Sequence, residues 1–352
     1  MFIGNVEVKG LARLAPMAGI SNAPYRLVAW ECGSALTTSE EIDAVGLTRE
    51  NPRTKYDIAK YLPEEKPIAL QILGPSAETL VPGVQYLQDT GADIIDLNMG
   101  CPMPKITKTG RGSALMKDVR KTAEILSAMR RVLTVPFTIK IRSGWDETHL
   151  NAVEVAKMAE DVGVDAITVH PRTRAQRFNG LSKWDMIAEV VDAVDIPITG
   201  NGDVQSMSDA RAMQAATGCE SVMIGRSAMG KPWVFDEAFE DLSPQGKYDY
   251  QSRVINRHMP LIQEHFPERE GQGFLFAALL KAGVPTTATW AELEAEQGAF
   301  YVSLPLDDLQ RAVVVHSGPK GRLTASEGGP FRLLIPAHPD ACASIKSLAR
   351  VS

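Results

Sequence analysis

Cys101 stands in the run DLNMGCPMPKITKTGRGSALM (96–116), directly after a glycine and before a proline, and is followed by Lys105, Lys108 and Arg111. A thiol in a rigid loop just past an apolar strand points into a site rather than a core. There it can donate a proton or, as thiolate, attack an electrophile. Burial as a small hydrophobe, the usual fate of a free cysteine, is the better reading for Cys32 and Cys219. Lys140 lies inside the apolar run FTIKIRSG, where an ammonium is costly without an anionic or electron-rich partner. A lysine snorkelling to the rim is the bland alternative. Gln71 in IALQILG and His170 at the end of DAITVH raise the same question with neutral polar groups. The segments GNGDV (200–204) and IGRSAMG (224–230) are glycine-rich; each alone could be a tight turn, but together they suit a phosphate held by backbone N–H groups.

These residues share a position: they close short apolar, β-branched runs. Strands are expected at 11–17, 35–40, 68–74, 93–100, 136–144, 165–170, 196–202 and 221–226, separated by segments of helical periodicity. In GADIIDL, GVDAITV and GCESVMI a glycine ends a helix before an apolar parallel strand. Eight β-then-α units in about 230 residues match the count and size of a (β/α)₈ TIM barrel. No GxGxxG follows the first strand, which argues against a doubly wound open sheet. The predicted organisation is a barrel over 1–235, a short helical segment over 236–270, and a small β-rich C-terminal unit over 271–352.

Composition sets the outer limits. Hydrophobic residues make up 44% and charged residues 23% of 352 residues, an ordinary globular balance. A formal net charge of -6 provides no global pull toward nucleic acid, so any RNA must be held by a local basic face. The four cysteines are scattered without CxxC or His/Cys spacing, which argues against a disulfide framework and a structural zinc site. Glu7, Lys9 and Arg13 interrupt the region where a signal peptide needs its apolar core, and no run is long enough to span a bilayer. A cytoplasmic protein with reduced thiols and neither membrane nor DNA as partner is expected.

In a barrel the C-terminal strand ends form the active face. Phosphate turns combined with inward Lys140, Gln71 and His170 suit flavin mononucleotide, with Lys140 stabilising charge on the reduced ring and Pro16, Met17 and Ala18 in close backbone approach. A phosphosugar isomerase is the alternative from the residues alone, but it needs a paired acid and base, and the strand ends offer few carboxylates beyond Glu40 and Asp203.

The segments APMAGISNAPYR, LQILG, DLNMGCPMPKITKTGRGSALM, IKIRSGWD, VHPRTRAQRFNG, PITGNGDV and MIGRSAMGKPWVF resemble the bacterial tRNA-dihydrouridine synthases, most closely their B-type branch. The resemblance is strong over 1–235 and weaker to about 266. It implies an FMN enzyme that reduces the C5–C6 double bond of uridines in tRNA, with NADPH reloading the flavin and Cys101 protonating C5. It further implies that Pro16, Met17, Ala18, Gln71, Lys140, His170, Asn201, Gly202, Asp203, Gly225 and Arg226 hold FMN, and that Asn98 orients flavin or uracil. Lys105, Lys108, Arg111, Arg172, Arg174 and Arg177 would meet the tRNA. A flavin barrel acting on a small molecule is the second reading, and a non-catalytic tRNA-binding protein the third.

Family members continue into a helical tRNA-gripping domain with an RKH...WY stretch. This chain begins one in RVINRHMPLIQEHFPERE and then departs. From Gly271 the segments GGPFRLLIP and ACASIKSLARV resemble the C-terminal part of a sulfite-oxidase-type molybdopterin domain, without the half that bears its metal-ligating cysteine. Cys342 lies in the wrong segment to replace it, so no molybdenum cofactor is expected.

Overall fold

The computed structural model describes residues 1–265 and, beyond them, seven strands: Gln272–Leu275, Trp290–Ala295, Tyr301–Pro305, Val313–Gly318, Gly321–Arg322, Arg332–Leu334 and Leu348–Val351. The chain divides into two compact units, Met1–Ile255 and Asn256–Ser352. In the second unit the strands pair antiparallel in two small sheets. The side chains behind the sulfite-oxidase resemblance lie outside the described residues.

The first unit is built on eight parallel strands: β1 (Ala12–Leu14), β2 (Thr37–Thr38), β3 (Ile68–Leu73), β4 (Ile94–Met99), β5 (Phe137–Arg142), β6 (Ala166–His170), β7 (Ile198–Asn201) and β8 (Ser221–Ile224). They pair in sequence order, and β8 pairs with β1. Between β1 and β2 two backbone hydrogen bonds, Leu14 N to Leu36 O (3.1 Å) and Ala35 N to Ala12 O (2.8 Å), complete the ring. All eight expected strands form, and the protein is a (β/α)₈ barrel.

Helices follow strands in turn: α1 (Ala23–Glu31), α2 (Ala44–Thr48), α3 (Ala77–Asp89), α4 (Val119–Arg130), α5 (Ala152–Val162), α6 (Asp185–Val191) and α7 (Met207–Thr217). Local signals set their ends. Asn22, Asp118 and Ser206 accept the N–H of Tyr25, Lys121 and Asp209 at the starts of α1, α4 and α7, and Gly163 and Gly218 end α5 and α7 in left-handed conformation. A longer helix, α8 (Pro244–His265), follows β8. No helix among the described residues is long and apolar enough to cross a membrane.

Alternation along each strand divides the barrel wall into two chemistries. Outward residues such as Leu70, Ile72, Ile95, Leu97, Ile139, Ile141, Ile167 and Val169 are fully buried against Leu80, Val84, Ile125, Leu126, Val155 and Ile187 of the helices. The inward positions are polar: Arg13, Gln71, Asp96, Asn98, Thr138, Lys140, Thr168, His170, Thr199 and Asn201. Below them the floor is apolar. An antiparallel hairpin, Phe2–Ile3 with Val6–Glu7, brings Ile3 and Val8 against Leu36, Ala69, Ile94 and Ala166.

One ion pair away from the site fixes the helical shell. Arg26 of α1 donates from Nε to Glu65 Oε2 (2.8 Å) and from Nη2 to Glu65 Oε1 (3.0 Å), and both side chains are fully buried. The guanidinium also donates to the carbonyls of Ser21 and Lys60, while Glu65 accepts the Leu62 N–H. Arg26→Ala leaves that carboxylate buried without its cation. It is expected to lower stability by about 3–5 kcal/mol, read as a lower denaturant midpoint for the cooperative loss of barrel circular dichroism.

Candidate active site

Inward groups at the C-terminal strand ends form one connected network. Gln71 Nε2 donates to Asp96 Oδ2 (2.7 Å), Thr138 donates to Asp96 Oδ1 (2.6 Å), and Gln71 Oε1 accepts from Asn98 Nδ2 (2.8 Å). The neighbouring registers Gln71–Asp96, Asp96–Thr138, Asn98–Lys140 and Thr168–Lys140 place these residues side by side across β3 to β6. Burial raises the Asp96 carboxyl, opposed by the hydrogen bonds from Gln71 and Thr138 and by the charges of Lys140 and Arg13.

Asn98 extends the network to the loop. Its Oδ1 accepts the N–H groups of Gly100 (3.0 Å) and Cys101 (2.9 Å), fixing the turn that carries the thiol, and its Nδ2 also donates to Glu41 Oε1 (3.1 Å). The thiol stands in the field of the Glu41 carboxyl. Desolvation, then the Glu41 charge, push Cys101 up to about 12, so it holds its proton at neutral pH. A thiol in that state is better suited to donating a proton than to nucleophilic attack. Glu41 is itself raised by burial against the pull of Cys101, Asn98, Lys140 and Lys105.

Across the mouth, Lys140 Nζ donates to Asn201 Oδ1 (3.0 Å), and Asn201 Nδ2 donates to the Met223 carbonyl (2.7 Å). Burial and the Arg142 charge lower Lys140 to about 8, against Asp96, Glu41 and Cys101. His170 is buried beside Lys140, Arg142, Arg172 and Arg226, and desolvation with those charges keeps it neutral. Arg142 ties two loops, donating to the carbonyls of Gly100 (2.7 Å), Thr173 (2.9 Å) and Arg177 (2.7 Å).

After β7, Gly202 turns with φ +120°; a Cβ there would collide with the Ser182 hydroxyl and lie 2.9 Å from the His170 ring. Burial raises the next carboxyl, Asp203, but the Ser182 N–H and the Arg172 and Arg226 guanidiniums outweigh it and hold Asp203 low. After β8, Gly225 has open space: a Cβ would meet only Ala15, at 3.6 Å. The turn 16–19 stands beside this opening, with the Met17 N–H held by Ser21 (2.9 Å) and the Gly19 N–H by Glu40.

The sequence expectations separate here. Gln71, Asn98, Cys101, Lys140, His170 and Asn201 converge as expected. Lys105, Lys108 and Arg177 are exposed at the rim. Arg111 is paired with Asp43 (3.0 Å), and Arg174 lies over Trp145, 4.4 Å from the ring centroid, with Lys117 also over that ring at 4.3 Å. Arg172, expected to meet tRNA, is 2% exposed. Its guanidinium is consumed by both Asp203 oxygens (2.8 and 2.7 Å), Ser182 and the carbonyls of Asn179 and Gly180, so it holds the 179–182 loop instead of offering a charge outward. Glu41 and Asp96 escaped the sequence reading. Asp96 sits two residues before Asn98 and so on the same strand face; Glu41 follows Glu40 in TTSEEID, and only the fold shows which of the two turns toward the thiol. Among the described residues no group of three or more His, Cys, Asp or Glu is placed to hold a metal ion.

Fold and site together define a barrel enzyme with a protonated thiol, a buried lysine and a neutral histidine around an open mouth. The family model described as "Dihydrouridine synthase (Dus)" matches residues 13–297, and the chain belongs to that family of enzymes. The match continues past Gly271, where the segment resemblance stops. A tRNA-dihydrouridine synthase B from Xanthomonas campestris is 40% identical over 242 residues, covering 67% of this chain and 71% of the relative. One from Pseudomonas putida is 34% identical over 274 residues, covering 76% and 81%. Among solved structures a 2-naphthoyl-CoA reductase complex shares the fold at TM-score 0.54 and 12% identity, over 68% of this chain and 51% of that one. A histamine dehydrogenase from Rhizobium does so at TM-score 0.51 and 11% identity, over 74% and 50%.

The lowered lysine has a measurable sign. Lys140 loses its proton in the folded state near pH 8 and in the unfolded chain near 10.5, so the cost of burying its charge is full below pH 8 and fades as pH rises to 10.5. Relative to a Lys140→Met variant, the wild type should gain thermal stability between pH 7.5 and 10. An equal pH dependence for the two proteins would show that Lys140 is not desolvated.

Proposed function

We propose that this enzyme reduces the C5–C6 double bond of uridine in tRNA, with FMN held in the barrel mouth and NADPH as the reductant. The observation that carries the reading is the Cys101 thiol, kept protonated just past the end of β4, beside the strand that carries Lys140 and with His170 one strand further on. The residues fit a flavin: open space at Gly225, a Gly202 turn that no side chain could share, and donors inward at Lys140 and Gln71. When bound, reduced FMN supplies hydride to C6 of the uracil.

The protein's own part is positioning, charge and one proton. Lys140, still largely cationic at neutral pH, favours negative charge on the ring beside it. Gln71 and Asn98 present amides to the ring or the uracil, and Asn201 orients Lys140. Pro16, Met17 and Ala18 border the ring. Gly202, Gly225 and the exposed Arg226 would hold the phosphate, while Asp203 anchors Arg226 (3.4 Å) and Arg172. Protonation at C5 breaks the Cys101 S–H bond and leaves a thiolate. A flipped uridine reaches this depth only if its backbone is held at the rim, a role for Lys105, Lys108, Arg111, Arg174 and Arg177.

Mass spectrometry of unmodified tRNA after incubation with the full chain, FMN and NADPH should detect dihydrouridine. Cys101→Ala should lose at least 100-fold of that product, on the order of a general acid's contribution, while retaining the flavin spectrum. A flavin-loaded wild type that reduces a free pyrimidine but no tRNA would move the assignment to a small-molecule oxidoreductase. Lys105→Ala with Lys108→Ala should weaken tRNA binding at every sequence and lower the log affinity–log salt slope by roughly one to two, measured by filter binding.

A further inference from the structure

We propose that Ser113 is a positioning residue for the Cys101 thiol: it braces the cysteine from the far end of its own loop and so fixes where the proton is delivered. The inference rests on Cys101 being the proton donor. The Cys101 carbonyl accepts two hydrogen bonds from this one residue, from the Ser113 N–H (3.2 Å) and from the Ser113 hydroxyl (3.0 Å). The Cys101 N–H is already taken by Asn98 Oδ1 (2.9 Å). Both peptide groups that flank the thiol are thus held, one from β4 and one from a segment 12 residues further on.

Gly112 lets the two segments meet. Its φ of +59° favours glycine, and a Cβ there would lie 2.8 Å from the Cys101 carbonyl oxygen and 3.0 Å from the Cys101 Cβ. Ser113 is 1% exposed, so water does not compete for its hydroxyl. It belongs to the short 3₁₀ turn Gly112–Lys117, which has its footing outside the loop. There the Leu115 carbonyl accepts the Thr122 hydroxyl of α4 (2.5 Å), and the Met116 carbonyl accepts Asn151 Nδ2 at the start of α5 (2.7 Å). The intervening residues 102–111, with Lys105 and Lys108 exposed, hang from two ends that join at the cysteine. Cys101 itself is only half-buried, so packing alone does not confine it. Proton transfer needs the donor within reach of the accepting carbon, and a misplacement of about 1 Å can cost about 100-fold.

Ser113→Ala removes the hydroxyl bond and keeps the N–H bond. In stopped-flow absorbance of the FMN-loaded full chain, reoxidation of the reduced flavin by saturating unmodified tRNA should slow about tenfold in the variant. Flavin reduction by NADPH and tRNA affinity by filter binding should each stay within about twofold of wild type, since neither uses the thiol's proton. The solvent deuterium effect on reoxidation should rise, because proton delivery then limits the step. Gly112→Ala, which presses on the same carbonyl, should give the same split with a larger loss. Reoxidation at the wild-type rate in Ser113→Ala overturns the positioning role while leaving dihydrouridine synthesis intact. So do losses in NADPH reduction and tRNA affinity, in either variant, that equal the loss in reoxidation. A wild type that forms no dihydrouridine overturns the reading beneath it as well.

Discussion

The buried carboxyl of Asp96 is the constraint on which the barrel interior turns. A parallel barrel faced outside with leucine and isoleucine would ordinarily fill its inside with the same residues. Here the inside is polar, and each polar group must find a partner before the ring can close. Asp96 receives Gln71 and Thr138 directly and lies within the field of Arg13 and Lys140. Gln71 then passes the constraint to Asn98, and Asn98 to the Cys101 turn. The Cys101 loop is thereby held by the same bonds that make the core admissible.

This economy couples groups that look separate. Lys140 is depressed by burial and Arg142 and supported by Asp96, Glu41 and Cys101; Cys101 is raised by burial and Glu41 and eased by Arg142. Thiol and ammonium therefore answer to overlapping sets of charges, and substitution at one alters the acidity of the other. Arg142 is the mechanical counterpart, joining the Gly100 turn to the 173–177 segment so that the loops after β4 and β6 move together.

Much of this was legible in the chain. The eight apolar runs and the glycines that stop helices before them gave the barrel, because period-two burial and helix stops are local signals. Lys140, Gln71 and His170 announced themselves as polar residues inside apolar runs. Glu41 did not, since two adjacent glutamates past a short strand differ only in which way the backbone turns them. Arg172 misled for a related reason: its spacing with Arg174 and Arg177 looks like an exposed basic loop, while its burial depends on Asp203, thirty-one residues away in sequence. Such pairings belong to tertiary geometry and leave no periodicity to read.

The apolar floor beneath the polar layer has a consequence for traffic. Ile3 and Val8 close the N-terminal end of the barrel against Leu36, Ala69, Ile94 and Ala166, which among the described residues leaves the C-terminal strand ends as the side that can receive a ligand. Any two ligands that use the strand ends must approach them from that face, and they cannot occupy the same strand ends together.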